Sequence, residues 1–274
     1  MAHQPAHHTV RSLLVDLSTP FERRWAGGDA FLTAFFNALS MSFPVGEQFF
    51  IDSVRAAAKA LPADAQASFA DEVQGFIGQE ATHRRIHGLF NGQLEAQGHR
   101  NTWGPRAARR IARFEGGDPR HALAVTAGYE HFTAIMAAWM LQHPQQLDGA
   151  EPRLRTMWMW HAAEETEHRS TAFDVYQASG GNHRWRLRWF YVVTFFFVTD
   201  VMRQTLRNLW HDGALLQGNT WRSGWRLLFA TGGLVRDTFG PWRAYFRADF
   251  HPQQQDEPRA AAWLRDNAGQ FREV

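Results

Sequence analysis

Apolar positions along the chain recur in steps of three and four, not in alternation. Between residues 69 and 94 the series Phe69, Val73, Phe76, Glu80, His83, His87, Phe90, Leu94 advances 4, 3, 4, 3, 4, 3, 4 without a break. That rhythm keeps one stripe of a helix facing a core, and it predicts a helix from about Asp64 to Gln97. A second helix is predicted from Asp29 to about Ala60, disturbed near Pro44 and Gly46. A third begins at Asp118-Pro119, a capping residue followed by a proline at the first helical position, and runs to about Leu141. A fourth spans Glu151 to Ala178 and stops at Gly180-Gly181, with further helical stretches at Trp185–Trp210 and Trp221–Arg247. Residues 1–28 read as an irregular lead-in, and residues 98–118, rich in glycine, as a loop with one short helix. No period-2 strand or tight hairpin signal is present. The expectation is an all-α protein: a four-helix bundle over 29–180 and a C-terminal helical annex over 181–274 packed on it.

The same stripes are interrupted by charge. The first helix reads Phe36, Ser40, Phe43, Glu47, Phe50, Val54; the third reads Leu123, Thr126, Glu130, Thr133, Ala137, Met140; the fourth reads Leu154, Trp158, His161, Glu165, His168, Ala172, Val175. Each of the four seams thus carries a carboxylate near its middle: Glu47, Glu80, Glu130 and Glu165. In Trp160–His168 ("WHAAEETEH"), helical rotation of about 100° per residue puts Glu165 about 40° and His168 about 20° from His161, on one face. Glu167 points away, toward solvent or an arginine. Glu164 lies on the other flank of His161 and ranks behind Glu165, because Glu165-x-x-His168 repeats the spacing of Glu80-x-x-His83. His87 reads as a supporting or core residue, His131 as structural or surface, and Tyr129 as a candidate hydrogen-bond donor to the centre.

Burying four carboxylates together is costly by several kcal/mol each unless cations accompany them. Two divalent ions balance four negative charges, and neutral imidazoles complete the coordination. One Glu from each of two helices and Glu-x-x-His from each of the other two is the ligand scheme of dinuclear carboxylate bundles. Glu47, Glu80, His83, Glu130, Glu165 and His168 are the expected ligands. His161 is a seventh, the alternative being a hydrogen-bonding role behind them.

Composition narrows the metal. The 274 residues include no cysteine, which removes disulfides, thiolate zinc and iron–sulfur ligation; oxygen and nitrogen ligands fit iron best, then manganese or zinc. The formal charge of +2, with a single lysine (Lys59), gives no reason to expect nucleic acid. The first twenty residues hold no sustained apolar stretch, and the longest apolar run, Trp189–Val198, is short of the about 18 residues of a membrane span. A cytoplasmic location is the default. Residues 184–250 differ from the rest: ten Arg against four Asp, a local charge of +6, and six of the twelve Trp. Three readings stand for this annex: a helix pair whose Arg stems and Trp rings cover the bundle, a peripheral membrane contact through interfacial Arg and Trp, or a homo-oligomer contact.

The segments "FPVGEQFF" (43–50), "QEATHRRIH" (79–87), "YEHFTA" (129–134), "WHAAEETEH" (160–168) and "FHP" (250–252) resemble the bacterial family labelled predicted metal-dependent hydrolase, over roughly residues 29–252. That resemblance implies a ferritin-like bundle. A more distant one is to the di-iron arylamine N-oxygenases, whose order Glu, Glu-x-x-His, Glu, His-x-x-x-Glu-x-x-His maps onto Glu47; Glu80 and His83; Glu130; and His161, Glu165 and His168. It supports the third histidine and implies no particular substrate. The expectation is therefore a ferritin-like four-helix bundle holding two metal ions, iron first. Its expected activity is O₂-dependent oxidation of a small apolar substrate, served by an electron donor. The alternatives are metal-dependent hydrolysis and a non-enzymatic metal-binding role.

Overall fold

The structure, a computed structural model, describes residues 8–274. It is an all-α helical bundle, and the first three of its long seams run where the periodicity placed them. Helix α1 spans Ala30–Lys59, α2 Ala63–Ala96 and α4 Pro119–Gln142; the intervening α3 is the short helix Trp103–Ile111. The starts follow from capping. The Asp29 carboxylate accepts from Leu32 N–H at 3.0 Å, and Asp118 accepts from Arg120 N–H at 2.9 Å ahead of Pro119. Helix α1 packs on α2 and α4, and the next helix, α5 (Pro152–Glu167), packs on α4 and touches α2, which closes the ring. All eight seam residues of α2 from Phe69 to Leu94 are buried.

Four features depart from the sequence-based expectation. First, α1 runs unbroken through Pro44. A proline inside a helix lacks the N–H that would serve the carbonyl four residues back, here Ser40. The Asn91 side-chain amide donates to that carbonyl at 2.8 Å, and Asn101 donates to the next one, Met41, at 2.6 Å. Side chains from outside the helix replace the lost bond, so the disturbance is absorbed.

Second, the expected helix from Glu151 to Ala178 is two helices, α5 and α6 (Thr171–Ala178), interrupted at His168–Ser170. The segment contains no glycine or proline. Thr171 N–H bonds to the carbonyl of His168 in a tight turn, and the Arg169 guanidinium takes the freed Thr166 carbonyl and that of Pro252.

Third, the annex has more pieces than expected. Helix α7 covers His183–His211, but the stretch beyond Trp221 divides into α8 (Gly218–Phe229) and α9 (Leu234–Ala244). The division falls at Gly232-Gly233; Gly232 has φ +75°, a conformation that favours glycine. Helix α7 lies against α1 and α4, α8 against α1, and α9 against α4. Helix α10 (Pro258–Asp266) packs on α5.

Fourth, there is a small sheet. Strand β1 (Arg11–Leu13) pairs antiparallel with β2 (Phe271–Glu273), with Ser12 opposite Arg272. Three residues are too few to show alternation, and the partner lies at the far end of the chain. The lead-in beyond β1 packs down through Leu17, Phe21 and Trp25, all buried. Residues 1–7 of that lead-in lie outside the described residues.

Candidate metal centre

The four seam carboxylates, together with His83, His161 and His168, converge in the middle of the ring of α1, α2, α4 and α5, and all seven are buried. Donor atoms of Glu80, His83, Glu165 and His168 lie within 4.8 Å of one another, as do those of Glu47, His87 and His161. Either group could hold a metal ion. Glu130 joins the first through a 3.1 Å contact from its Oε2 to His168 Nδ1. Glu165 joins the two: its Oε1 lies 2.8 Å from His161 Nε2, 3.4 Å from His83 Nδ1 and 3.8 Å from His168 Nε2.

Eight buried atoms without a hydrogen-bond partner meet in this cluster. Both carboxylate oxygens of Glu47 and of Glu80, Oε1 of Glu130, Oε2 of Glu165, Nδ1 of His83 and Nε2 of His168 are buried and unpartnered. Buried polar atoms rarely stay so. Here they share one small volume and are all lone-pair donors or groups that become so on losing a proton, which is the chemistry of a cation site.

The histidine orientations can be deduced. Because Asn91 Nδ2 donates to Ser40 C=O, its Oδ1 is the acceptor for the Ser40 hydroxyl, 2.8 Å away. Having donated its one proton, Ser40 Oγ must accept from His87 Nδ1–H, also at 2.8 Å. That leaves His87 Nε2 as an acceptor for His161 Nδ1–H at 2.6 Å. The outward nitrogen of His161, Nε2, therefore presents a lone pair to Glu165, and to Glu47 Oε1 at 4.0 Å. Burial, then the charge of His83, holds His161 down at about pKa 4, and burial holds His87 well below the ordinary imidazole range, so both rings are neutral at pH 7. With His161 Nε2 bare, Glu165 Oε1 2.8 Å away is an acceptor facing an acceptor, an arrangement that a cation shared by the two would relieve. This places His161 at the centre and His87 behind it, orienting it.

His83 is oriented from its other side. Its Nε2 lies 2.9 Å from Glu164 Oε2, and Glu164 also accepts from Arg11 Nη1 at 3.1 Å. A histidine backed by a carboxylate is a common support for a metal ligand. Glu164 thus sits behind His83, and Glu167 pairs with Arg11 at 2.8 Å and with Gln79 Nε2 at 2.7 Å. Arg11 comes from the lead-in, brought there by the β1–β2 pairing; no local pattern in the sequence marks it. His131 is buried away from the centre, its Nε2 on Pro241 C=O at 3.1 Å. His251 of the "FHP" segment holds Asp174 of α6 at 2.7 Å.

Without metal the centre carries protons. Burial pushes Glu47 and Glu80 well above the carboxylate range, with neighbouring carboxylates adding to it, and burial raises Glu130. Burial lowers His83, yet Glu164 and Glu165 outweigh it and raise it to about 10; Glu130 and Glu165 raise His168 against burial in the same way.

Comparison with known proteins agrees with the chemistry. The model of the family described as "Predicted metal-dependent hydrolase" matches residues 9–256. The chain belongs to that family. The match begins earlier than the resemblance read from the sequence and takes in Arg11 and the lead-in. Searches among curated proteins and among solved structures gave no match. In this metal-dependent hydrolase family member an apolar cavity of about 300 Å³ lies beside the centre, between α1, α3, α4 and α7. Phe43 lines it and also packs on His87 and His161, with ring centroids 4.6 and 4.8 Å away. Gly46 and Phe50 flank Glu47 along its wall; Tyr129 and Thr133 flank Glu130. Burial raises the Tyr129 phenol to about 12, so it remains protonated and faces the cavity rather than a ligand.

Proposed function

We propose that the chain is a dinuclear metalloenzyme that oxidises a small apolar substrate with O₂, drawing electrons from an external donor. Glu47, Glu80, His83, Glu130, His161, Glu165 and His168 would hold two ions, iron first. The observation that carries the dinuclear part is the set of unpartnered lone-pair atoms in two adjoining groups, the second linked to Glu165 of the first through His161. A reduced iron pair supplies the electrons that O₂ needs and the oxidising power for the substrate. The protein residues do the rest. Arg11 and Glu164 hold His83, and Ser40, Asn91 and His87 hold His161. Phe43, Phe49, Phe50 and Phe197 keep water from the cavity and present an apolar substrate to the side of the centre bounded by Glu47 and Glu130. The volume of that cavity suits a small molecule.

The family description favours a second reading, hydrolysis at the same ions. There the metals would lower the pKa of bound water and polarise an ester or phosphoester. The lining of the cavity, mostly apolar with Ser42, Arg110, Arg113, Tyr129 and Thr133 as its polar members, supports the first reading by that balance.

Elemental analysis of reconstituted protein tests the centre: a ratio near two per chain is expected. Anaerobic diferrous protein mixed with O₂ tests the chemistry and should show an absorbance change within minutes. A metal ratio near zero would end the metalloenzyme reading. An iron form inert to O₂, beside a zinc form that turns over a hydrolytic substrate efficiently, would make the second reading the right one.

A further inference from the structure

The annex presents an apolar surface that nothing among the described residues covers. Sixteen large apolar side chains are exposed among the described residues, and thirteen of them lie between Trp185 and Phe239. On α7 they form one stripe, Tyr191, Phe195, Val198, Met202 and Leu206, in steps of 4, 3, 4 and 4. Helix α8 adds Trp221, Trp225 and Phe229, again at steps of four, and α9 adds Val235 and Phe239. Phe195 is 63% exposed, Trp225 65% and Phe239 57%. These residues are not scattered: Val198, Met202, Trp221, Phe229, Val235 and Phe239 line one open apolar groove of about 670 Å³. A contiguous patch of this kind marks an interaction surface.

Its charge identifies the partner. Exposed arginines accompany each stripe: Arg184, Arg188, Arg203 and Arg207 on α7, Arg222 and Arg226 on α8, Arg236 and Arg243 on α9. Among the described residues none of these eight has a carboxylate within ion-pair distance, whereas each of the four acids between residues 184 and 250 is already paired. Asp200 pairs with Arg106 and Arg110, Asp212 with Arg24, Asp237 with His143 and Asp249 with Arg247. A second copy docked symmetrically on this face would set arginine against arginine with no acid to answer it. Among the described residues no helix is long and apolar enough to cross a membrane.

We infer that the face formed by α7, α8 and α9 docks on the surface of an anionic lipid bilayer, its Trp and Phe side chains entering the headgroup boundary and its unpaired arginines meeting lipid phosphates. Amphipathic helices bind membranes in this manner, through buried apolar area plus attraction to anionic lipid. The inference stands on the surface alone and holds whichever chemistry the metal centre performs. It has one structural consequence. Phe197 of α7 lines both the open groove and the cavity beside the centre, so the docked face lies one side chain away from that cavity.

Vesicle co-sedimentation of the full chain tests this, with vesicles of phosphatidylcholine alone and of phosphatidylcholine mixed with anionic phosphatidylglycerol. The protein should pellet with the mixed vesicles, weakly with the neutral ones, and be released by salt. Arg222→Glu with Arg226→Glu should weaken binding at least about tenfold, and Phe195→Ser with Trp225→Ser should weaken it comparably. Metal content checks that the variants are folded. Should either pair fail that check, quenching of wild-type Trp emission by brominated lipid decides instead. No binding to anionic vesicles, or equal binding to both kinds, overturns the inference. So does a wild-type chain that ignores vesicles and self-associates through this face, as shown by sedimentation equilibrium in which Phe195→Ser with Trp225→Ser gives a monomer.

Discussion

The interior of the bundle and the outer face of the annex are inverted relative to each other. In the bundle, four glutamates and four histidines sit where phenylalanines would suffice; on the annex, tryptophans and phenylalanines sit where lysines and glutamates would be ordinary. An exposed leucine or a surface arginine says little, but a buried carboxylate and a contiguous exposed apolar patch each run against the usual partition. Each is retained against a cost. The interior costs desolvation of charge, and the outer face costs solubility. The difference shows where each is compensated. The interior cluster could be matched by a small cation inside the molecule, whereas the partner we infer for the outer face is larger than the molecule.

The sharpest way to break the comparison is to remove the interior charge that joins the two groups. Glu165→Ala should lose at least one metal per chain. It should also lose the metal-dependent rise in thermal stability, which reaches about 4 kcal/mol at a thousandfold excess of metal over Kd. Glu80→Ala should behave alike. If both variants load metal as the parent does, the interior is a polar core and the contrast collapses. Glu164→Ala is the control: both ions should stay bound, with affinity reduced about 10- to 100-fold through the loss of support for His83.

Protons offer the next test. Glu47 and Glu80 are raised well above the carboxylate range and His83 to about 10, so the metal-free centre holds protons at pH 7. Metal entry must expel them. Affinity should therefore rise with pH between 6 and 8, and a pH indicator in weak buffer should register release of at least one proton per chain, that of His83. An affinity flat across that range would show that the metal takes other ligands.

A smaller effect is expected from Asn91→Leu. It should cost about 1–3 kcal/mol in denaturant unfolding by leaving the Ser40 carbonyl without a donor, and it should weaken metal binding through His161. A stability loss with unchanged metal affinity would detach the relay from the centre. The smallest effect belongs to the outer face. Phe195→Ser should change stability by less than about 0.5 kcal/mol and leave metal content untouched, because that side chain has little contact to lose.

The parts of the molecule that repeat locally were legible in the sequence. The seams of α1, α2 and α4 and the four in-phase carboxylates follow from steps of three and four, and the rank of Glu165 over Glu164 came from an internal echo. The Gly232-Gly233 break was also readable from its residue types, though the helix was expected to continue through it. What escaped was set by contacts between distant residues. Arg11 reaches Glu164 across 153 positions. Strand β1 finds its partner 260 residues later, in the pairing of Leu13 with Phe271 near one end and Arg11 with Glu273 at the other, a span on the order of the whole chain. The interruption at His168–Ser170 contains no breaker residue and is stabilised by Arg169 reaching two carbonyls, one of them on Pro252. Sequence periodicity carries no information about such partners.

Pro44 shows how far one missing hydrogen can reach. Because the imide nitrogen cannot donate, the Ser40 carbonyl depends on the Asn91 amide; since a carbonyl only accepts, that amide has one acceptable orientation, and each hydroxyl and ring nitrogen after it has one acceptable role. The backbone defect is thus read out, three side chains later, as the choice of which nitrogen of His161 is bare. Pro44→Ala would restore the helix bond and leave every heavy atom of that chain in place, and the Asn91 amide would keep its orientation, because its oxygen cannot face a carbonyl oxygen. The carbonyl would then have two donors where it now has one, and the relay to His161 would no longer be the only thing that satisfies the helix.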